Sequence, residues 1–303
     1  MSDGPDRVAL AAFAGAVLIG GTNFVGVRYS NRGLDPLWGS SLRFALAAAI
    51  FALVVAAFRM PLPRGRTLAL LVLYGLVGFG FAYACMYLAL QDVPAGIAAV
   101  VMAVGPLLVL LLAVLHGMET LTRRALVAAV VAFVGSVLIF FQPGSVSFEL
   151  TSLLLLGLAA LAASESVVIS KRIGRVQPAV MNLVGMTAGS LATFVAAVVA
   201  GETLALPARG ETQVALVYLV LATVGLFYCV LVVVQRWSAS STAYSFVLMP
   251  IVAVALGALI AGEPVTVTTV VGGAVVCLAV WYGAATGGTR GRRYRGRPGA
   301  SVP

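Results

Sequence analysis

The chain has 303 residues, of which 61% are hydrophobic and only 10% are charged. An ordinary soluble domain is roughly 45–50% apolar and about 25% charged, so this composition excludes a water-soluble fold. The net charge of +9 does not indicate a nucleic-acid-binding protein. The basic residues lie in short clusters between apolar runs and form no basic face with interleaved aromatic side chains.

Apolar runs of 18 or more residues are long enough to cross about 30 Å of hydrocarbon. The sequence therefore predicts an all-α integral membrane protein with ten transmembrane helices, near residues 8–28, 36–58, 67–90, 95–115, 124–141, 150–170, 178–200, 212–235, 241–262 and 265–285. Four prolines stand at or just before predicted helix starts, where the missing N–H costs little: Pro36, Pro94, Pro178 and Pro264.

The distribution of positive charge predicts the orientation, because connections rich in Lys and Arg stay in the cytoplasm. With the N-terminus inside, the cytoplasmic connections hold 15 Lys and Arg residues and the external connections hold three. We therefore expect a multi-pass protein of the inner, cytoplasmic membrane with both termini in the cytoplasm. Residues 286–303 form a basic cytoplasmic tail, which we interpret as a solvated topology anchor beside the lipid bilayer.

The three cysteines, Cys85, Cys229 and Cys277, lie within apolar runs and show no CxxC spacing. This pattern indicates neither a disulfide framework nor a thiolate metal site. We expect no metal and no cofactor.

An internal repeat emerges when the chain is slid along itself by 144 residues. Seven identities fall within 29 aligned positions, among them Pro106 on Pro250, and each of these prolines is followed 13 residues later by a glutamate. Each unit holds five predicted helices, an odd number, so the second copy must run opposite to the first. The predicted domains are two inverted five-helix repeats, residues 8–141 and 150–285.

Several segments resemble those of a known family. They are Gly20-Gly-Thr-Asn-Phe-Val-Gly-Val-Arg28 in span one, Pro36 followed by Arg43-Phe44 in span two, and the Pro-to-Glu segments that begin at Pro106 and Pro250. The pattern is similar to that of the ten-span EamA-domain exporters of the drug/metabolite transporter superfamily. The resemblance implies a carrier that moves amino acids, other metabolites or drug-like compounds, usually outward, through a central cavity between the halves. It implies no obligate protein partner.

Glu165 is a carboxylate inside the sixth span, flanked by Ser164 and Ser166. It lies six residues before Lys171, or about 9 Å inside the cytoplasmic helix end at about 1.5 Å per residue. A charge at depth costs about 2.5–3.5 kcal/mol unless it meets water or a partner. Two interpretations stay open. Glu165 faces the cavity and binds a cationic or zwitterionic substrate or a coupling proton, or it is a polar group in helix packing.

Arg43 is the other charge within a span and follows Pro36 by seven residues. Its long side chain could reach the external surface, or its guanidinium could bind a substrate carboxylate or a helix C-terminus. The aligned positions of the second copy, Gly185 and Met186, are uncharged. Any role of Arg43 is therefore confined to the first half.

Further polar and aromatic side chains are predicted to line the cavity. A shift of 143 residues pairs Thr22 and Asn23 with Glu165 and Ser166, at matching depth in spans one and six. The other candidates are Tyr83 and Tyr87 on one face of span three, Tyr228 beside Phe227 in span eight, Tyr244 and Ser245 in span nine, and an adaptable wall of Met102 and Met249. Aromatic side chains on one helical face equally fit simple packing.

Two further features are interpreted as structural. The Pro-to-Glu segments end in Glu119 and Glu263, which stand at the ends of their spans and just before the next predicted helix. Acidic side chains are favourable at the start of a helix. Gly185 and Gly189 in span seven are four residues apart and predict a close approach between helices.

The charge and motif content separates three classes of function. A membrane enzyme would need clustered His, Asp or Glu, whereas the chain has a single histidine, His116. A channel or scaffold would be expected to form ring-shaped oligomers or to carry long soluble contact loops. The sequence has no Walker-type loop, so nothing in it indicates transport driven by ATP. The sequence favours a secondary transporter, with a channel or scaffold and then an enzyme as alternatives. It leaves the substrate, the direction and proton coupling open.

Overall fold

The computed structural model describes residues 6–93, 95–140, 149–261 and 267–284. Within these ranges every regular element is a helix. The helices are α1 Arg7–Gly20, α2 Asn23–Ser30, α3 Pro36–Ala57, α4 Arg66–Gly75, α5 Ala82–Ala89, α6 Ala95–Met102, α7 Gly105–Leu115, α8 Arg123–Phe140, α9 Leu150–Ile173, α10 Pro178–Val199, α11 Gly210–Arg236, α12 Ala239–Ala261 and α13 Val267–Ala284. A π-helical segment, Leu76–Phe81, joins α4 to α5.

Seven helical stretches in the described part of the chain are long and apolar enough to cross a membrane. They are Arg7–Ser30, Pro36–Ala57, Arg66–Ala89, Ile97–Leu115, Leu150–Ile173, Pro178–Val199 and Gly210–Arg236. The other three predicted spans coincide with α8 and with the shorter apolar stretches Ala239–Val252 and Val270–Gly283. Large apolar side chains such as Leu53, Val199 and Leu278 are exposed on the outside of the bundle, as a lipid-facing surface requires.

Proline sets two of the helix starts where the sequence predicts them. Pro36 and Pro178 occupy the first turn of α3 and α10, where the missing N–H removes no helical hydrogen bond. Pro106 stands in the first turn of α7, directly after the break that separates α6 from α7. Pro250, its counterpart in the repeat, lies inside the continuous helix α12.

The first span contains a break at Gly21 and Thr22 that the sequence pattern does not predict. A Cβ added at Gly21 would lie 2.8 Å from the backbone oxygen of Met249 and 2.9 Å from Cβ of Val252. Only glycine allows the chain to pass this close to α12. The break therefore brings span one against the second half of the molecule.

Helix α10 packs closely against the π-helical segment, as the spacing of Gly185 and Gly189 predicts. A Cβ at Gly189 would lie 2.8 Å from the backbone nitrogen of Gly80, and a Cβ at Gly75 would lie 2.6 Å from Cα of Gly185. These are contacts between backbones, which a side-chain rotation cannot relieve. They hold the Phe79 ring of the π-helical segment at the centre of the bundle.

Polar contacts tie the two halves together at each end of the bundle. At the end where α1 begins, here the Arg7 end, the carboxylate of Glu119 accepts a hydrogen bond from the backbone N–H of Ser240 at 3.2 Å. At the opposite end, where α3 begins, here the Pro36 end, the side chain of Trp38 donates to the carbonyl of Ala205 at 2.7 Å. The central part of the bundle lies between these two layers.

Candidate functional site

A cavity lies between spans from both halves of the chain. Fourteen of its twenty lining residues form seven pairs related by the offsets of 143 and 144 residues found in the sequence. The pairs are Gly20 with Ala163, Asn23 with Ser166, Phe24 with Val167, Ala82 with Leu226, Tyr83 with Phe227, Met86 with Val230, and Met102 with Phe246. Equivalent positions of the two halves thus face one another across the cavity.

The remaining lining residues come from several helices, and they are Tyr74, Gly78, Phe79, Ser170, Leu231 and Met249. Aromatic rings dominate the wall. The ring centroids of Phe79 and Phe227 are 4.7 Å apart at 79°, and those of Tyr83 and Phe227 are 6.1 Å apart. Met102 and Met249 both line the cavity, in agreement with the predicted adaptable wall.

Few polar groups face this apolar wall. The hydroxyl of Ser166 lines the cavity and makes no hydrogen bond to another described residue. Ser170, one helical turn further along α9, donates to the carbonyl of Val167 at 2.7 Å. Besides the tyrosines Tyr74 and Tyr83, Asn23 supplies a further polar side chain and connects the cavity to the charge behind it.

That charge is Arg43, which forms a cluster with Asn23, Tyr87 and Thr223, here the Arg43 cluster. Arg43 donates from Nε to Oγ1 of Thr223 at 2.6 Å, from NH2 to Oδ1 of Asn23 at 2.7 Å and from NH1 to the Tyr87 hydroxyl at 3.4 Å. Its guanidinium carbon also lies 5.2 Å from the ring centroid of Tyr83. These contacts place the guanidinium directly behind the cavity wall formed by Asn23 and Tyr83.

The structure corrects the expectation that Arg43 extends to the external surface. Its exposed fraction is 0%, because three neutral oxygens inside the bundle accept its N–H groups. The ion pairs found among the described residues join Arg32 to Glu211, His116 to Glu165 and Arg236 to Asp6. None of them neutralises Arg43.

Glu165 does not line this cavity, contrary to the expectation of a cavity-facing carboxylate. Its Oε1 lies 3.2 Å from Nε2 of His116, at the end of α7, and its Oε2 is buried without a hydrogen-bond partner in the described part of the chain. The neighbouring residue Ser166 faces the cavity instead, because successive residues of a helix point about 100° apart. The role of Glu165 in transport stays a prediction.

Five of the ten predicted site residues meet at the cavity. Asn23, Tyr83 and Ser166 line it, and Arg43 and Tyr87 stand directly behind it in the Arg43 cluster.

The other five lie elsewhere. Besides Glu165, Ser164 donates to the carbonyl of Ala160 at 2.7 Å, and Ser245 donates to that of Thr242 at 2.9 Å. Tyr244 packs in an apolar cluster between α8, α12 and α13. Tyr228 is 46% exposed on the outside of the bundle, and its neighbour Phe227 takes the cavity position.

Sequence reasoning missed several residues that shape the site. Phe79 and Phe246 form part of the wall, and Thr223 holds Arg43. The repeat offset contains a signal for Phe246, because it aligns with Met102, which is itself a candidate from the sequence. Thr223 gives no signal, since a threonine within a membrane helix commonly bonds only to its own helix, as this residue also does toward Leu219.

The helical bundle and the cavity between its related halves define a polytopic membrane transporter. A model of the EamA-like transporter family matches residues 7–141 and again residues 150–282, so the chain belongs to this family. A protein of Archaeoglobus fulgidus described as an uncharacterized transporter is 23% identical over 264 residues, which cover 86% of this chain and 93% of that protein. A solved crystal structure of a protein superposes on this chain with a TM-score of 0.76 at 18% identity. The superposition covers 92% of this chain and 98% of that chain, and it shows that the two share a fold.

Proposed function

We propose that this protein is a secondary transporter that exports small metabolites, amino acids or drug-like compounds across the cytoplasmic membrane by alternating access. Ten spans form two inverted five-helix repeats, residues 8–141 and 150–285, with both termini and the basic tail 286–303 in the cytoplasm. The partners are the small-molecule substrate and the lipid bilayer. No obligate protein partner is needed.

The pairing of lining residues carries this proposal. A cavity built from equivalent positions of two halves lies on the pseudo-two-fold axis that relates them. If the halves are inverted, exchanging their conformations opens the same cavity to the opposite side of the membrane. The substrate then crosses without leaving its binding site.

The contacts at the two ends of the bundle supply the gates of this cycle. Glu119 caps the start of α12 at the Arg7 end, and Glu202 accepts from the backbone N–H groups of Leu37 and Trp38 at the Pro36 end. Each acid lies in one half and binds a helix start in the other. Opening the cavity to one side requires that the contacts at that end separate.

An untargeted export assay tests the function, because it follows every compound that the cells release. Cells that express the parent protein, an Ala163→Phe variant and a Leu158→Phe variant are compared by metabolite profiling of the medium. Ala163 lines the cavity, whereas Leu158 is 45% exposed on the outside of the same helix. We expect the parent and the Leu158 variant to export the same compounds and the Ala163 variant to lose export. Equal export by all three would contradict transport through this cavity.

Cysteine labelling tests the orientation and the number of crossings. Gly144→Cys should react with a membrane-impermeant reagent from outside the cell, and Gly288→Cys only after the membrane is opened. The parent chain with its own three cysteines is the control. The reverse pattern would overturn the proposed orientation.

We also place a coupling proton at the pair formed by His116 and Glu165. The pair connects α7 of the first half with α9 of the second, and one carboxylate oxygen is buried without a partner in the described residues. Protonation of the pair would alter a contact between the halves while leaving the cavity wall unchanged.

A further inference from the structure

We propose that the cavity selects organic anions, namely small carboxylates with an apolar or aromatic body. Asn23 binds the carboxylate and Arg43 supplies the attracting charge from behind the wall. The inference rests on the proposed transport function and names the substrate class of its site.

The first argument is the charge of Arg43. A guanidinium stays protonated at any physiological pH and can only donate hydrogen bonds. All three of its hydrogen-bond partners are neutral, and none of the ion pairs in the described residues includes it. A fully buried charge without a counterion is costly, and an anion held nearby relieves that cost.

The second argument is the orientation of Asn23, which links this charge to the cavity. Because Arg43 only donates, the amide oxygen of Asn23 must face it, as the 2.7 Å contact shows. The amide NH2 group then points away from Arg43, and it makes no hydrogen bond to another described residue. Since Asn23 lines the cavity, this NH2 group is a free donor there, polarised by the guanidinium behind it.

The third argument is the absence of opposing charge. The lining residues in the described part of the chain include no Asp, Glu, Lys, Arg or His. The nearest acidic candidate from the sequence, Glu165, is paired with His116 outside the cavity. In surroundings of low dielectric the field of Arg43 is therefore not cancelled, so it attracts anions and repels cations.

The remaining wall defines the body of the substrate. Six aromatic side chains and three methionines line the cavity: Phe24, Tyr74, Phe79, Tyr83, Phe227, Phe246, Met86, Met102 and Met249. A carboxylate with an aromatic or branched apolar group satisfies both the charge and the wall.

Four derivatives of phenylalanine on one scaffold test the charge preference. They are N-acetylphenylalanine, an anion; phenylalanine, a zwitterion; N-acetylphenylalaninamide, which is neutral; and phenylalaninamide, a cation. Binding to the purified parent protein is measured by isothermal titration calorimetry. We expect the anion to bind at least about tenfold more tightly than the neutral amide, and the cation to bind most weakly. Tightest binding of the neutral or cationic compound, or no binding of any, would overturn the proposal.

Variants assign the preference to the Arg43 cluster. Asn23→Asp places a carboxylate against Arg43 and supplies an internal counterion, so we expect a protein of undiminished thermal stability that loses at least about tenfold in affinity for N-acetylphenylalanine. Arg43→Lys keeps the charge and should keep the order of preference. Arg32→Gln removes an exposed arginine at the Pro36 end and is the control. Parent-like anion binding by Asn23→Asp would contradict the assignment.

The outcome separates this inference from the proposed function. If the anion is not preferred but export still depends on Ala163, the substrate class is wrong and transport through the cavity stands. If export does not depend on Ala163, the proposed function fails, whichever derivative binds.

Discussion

The side-chain carboxylate of Glu119 accepts hydrogen bonds from the backbone N–H of Ser240, at 3.2 Å, and from its hydroxyl, 121 residues further along the chain. The turn that follows α7 is thereby joined to the first turn of α12. Glu202 makes the corresponding contact in the opposite sense, from the second half to the start of α3. Acidic side chains that cap helices thus connect the halves at both ends of the bundle.

The first prediction concerns the cap formed by Glu119. Replacing Glu119 by alanine leaves the first turn of α12 without its acceptor, and we expect a loss of about 1 kcal/mol in the free energy of unfolding. Glu119→Gln keeps an acceptor oxygen and should lose less. Unfolding of the purified protein in detergent measures both. Glu211→Ala removes the exposed partner of Arg32 and should have a smaller effect. Equal losses in all three variants would contradict the cap.

The second prediction concerns the hydrogen bond between Thr223 and Arg43. Thr223→Val removes the acceptor of the buried Nε, and we expect a loss of about 1–3 kcal/mol in the free energy of unfolding. Thr187→Val is the matched control, because Thr187 is exposed and, like Thr223, donates to the carbonyl four residues earlier, but it does not contact Arg43. Similar stability of the two variants would show that the contact contributes nothing.

The overall fold follows largely from simple sequence signals. Hydrophobic length predicts the seven helical stretches that are long enough to cross a membrane. Pro36 and Pro178 predict the starts of α3 and α10, and the offset between the halves predicts which positions share the cavity. That offset pairs Asn23 with Ser166, and both line the cavity. These features depend on local helix-forming preferences or on the internal repeat, and both can be recognised in the sequence alone.

The side-chain directions at the site could not be predicted in the same way. From the sequence alone, the side chain of Arg43 is long enough to reach the external surface. In the structure its hydrogen bonds are accepted by side chains of three different helices, and their positions depend on the packing of the whole bundle. Glu165 and Tyr228 are each one residue away from a position that faces the cavity, and an apolar span offers no polar stripe that fixes its rotation. Glu263, aligned with Glu119, lies outside the described residues.

The third prediction concerns the close contact between Gly75 and Gly185. In Gly75→Ala the added methyl group meets backbone atoms of Gly185, so α4 and α10 must separate and distort the π-helical segment that carries Phe79. We expect a low yield of folded protein by size-exclusion chromatography. Gly157→Ala is the control, since nothing lies within 4 Å of the new methyl group and alanine favours a helix by about 0.5–1 kcal/mol. Equal yields from both variants would contradict the close contact.

The fourth prediction concerns the pH dependence of the Asp6 contacts. The hydrogen bond from Arg236, followed by that from the backbone N–H of Ala9, lowers the pKa of Asp6 below its ordinary value of 3.8. Because the folded pKa is the lower one, this contribution to stability is complete above the ordinary pKa and is lost as the pH falls through the folded value. Asp6→Asn should therefore unfold at a lower temperature than the parent at about pH 6, and this difference should decrease as the pH falls through the folded pKa of Asp6. A difference that persists in acid would contradict this account.

The last prediction concerns the pair formed by His116 and Glu165. Glu165→Gln keeps the size and an acceptor oxygen for His116 but removes the charge, and Glu165 lies outside the cavity. We therefore expect this variant to fold and to exchange substrate across vesicle membranes at the parental rate. Accumulation driven by a pH gradient should be lost, because the protonated site that couples the two flows is gone.

The measurement uses the compound that the parent protein exports, in reconstituted vesicles with and without an imposed pH gradient. His116→Gln removes the other member of the pair and should show the same separation of exchange from accumulation. Glu211→Gln removes an exposed carboxylate at the Pro36 end and should behave as the parent does. If Glu165→Gln accumulates substrate at the parental level, the coupling proton must bind at another site. Loss of exchange together with accumulation would instead assign Glu165 to substrate translocation.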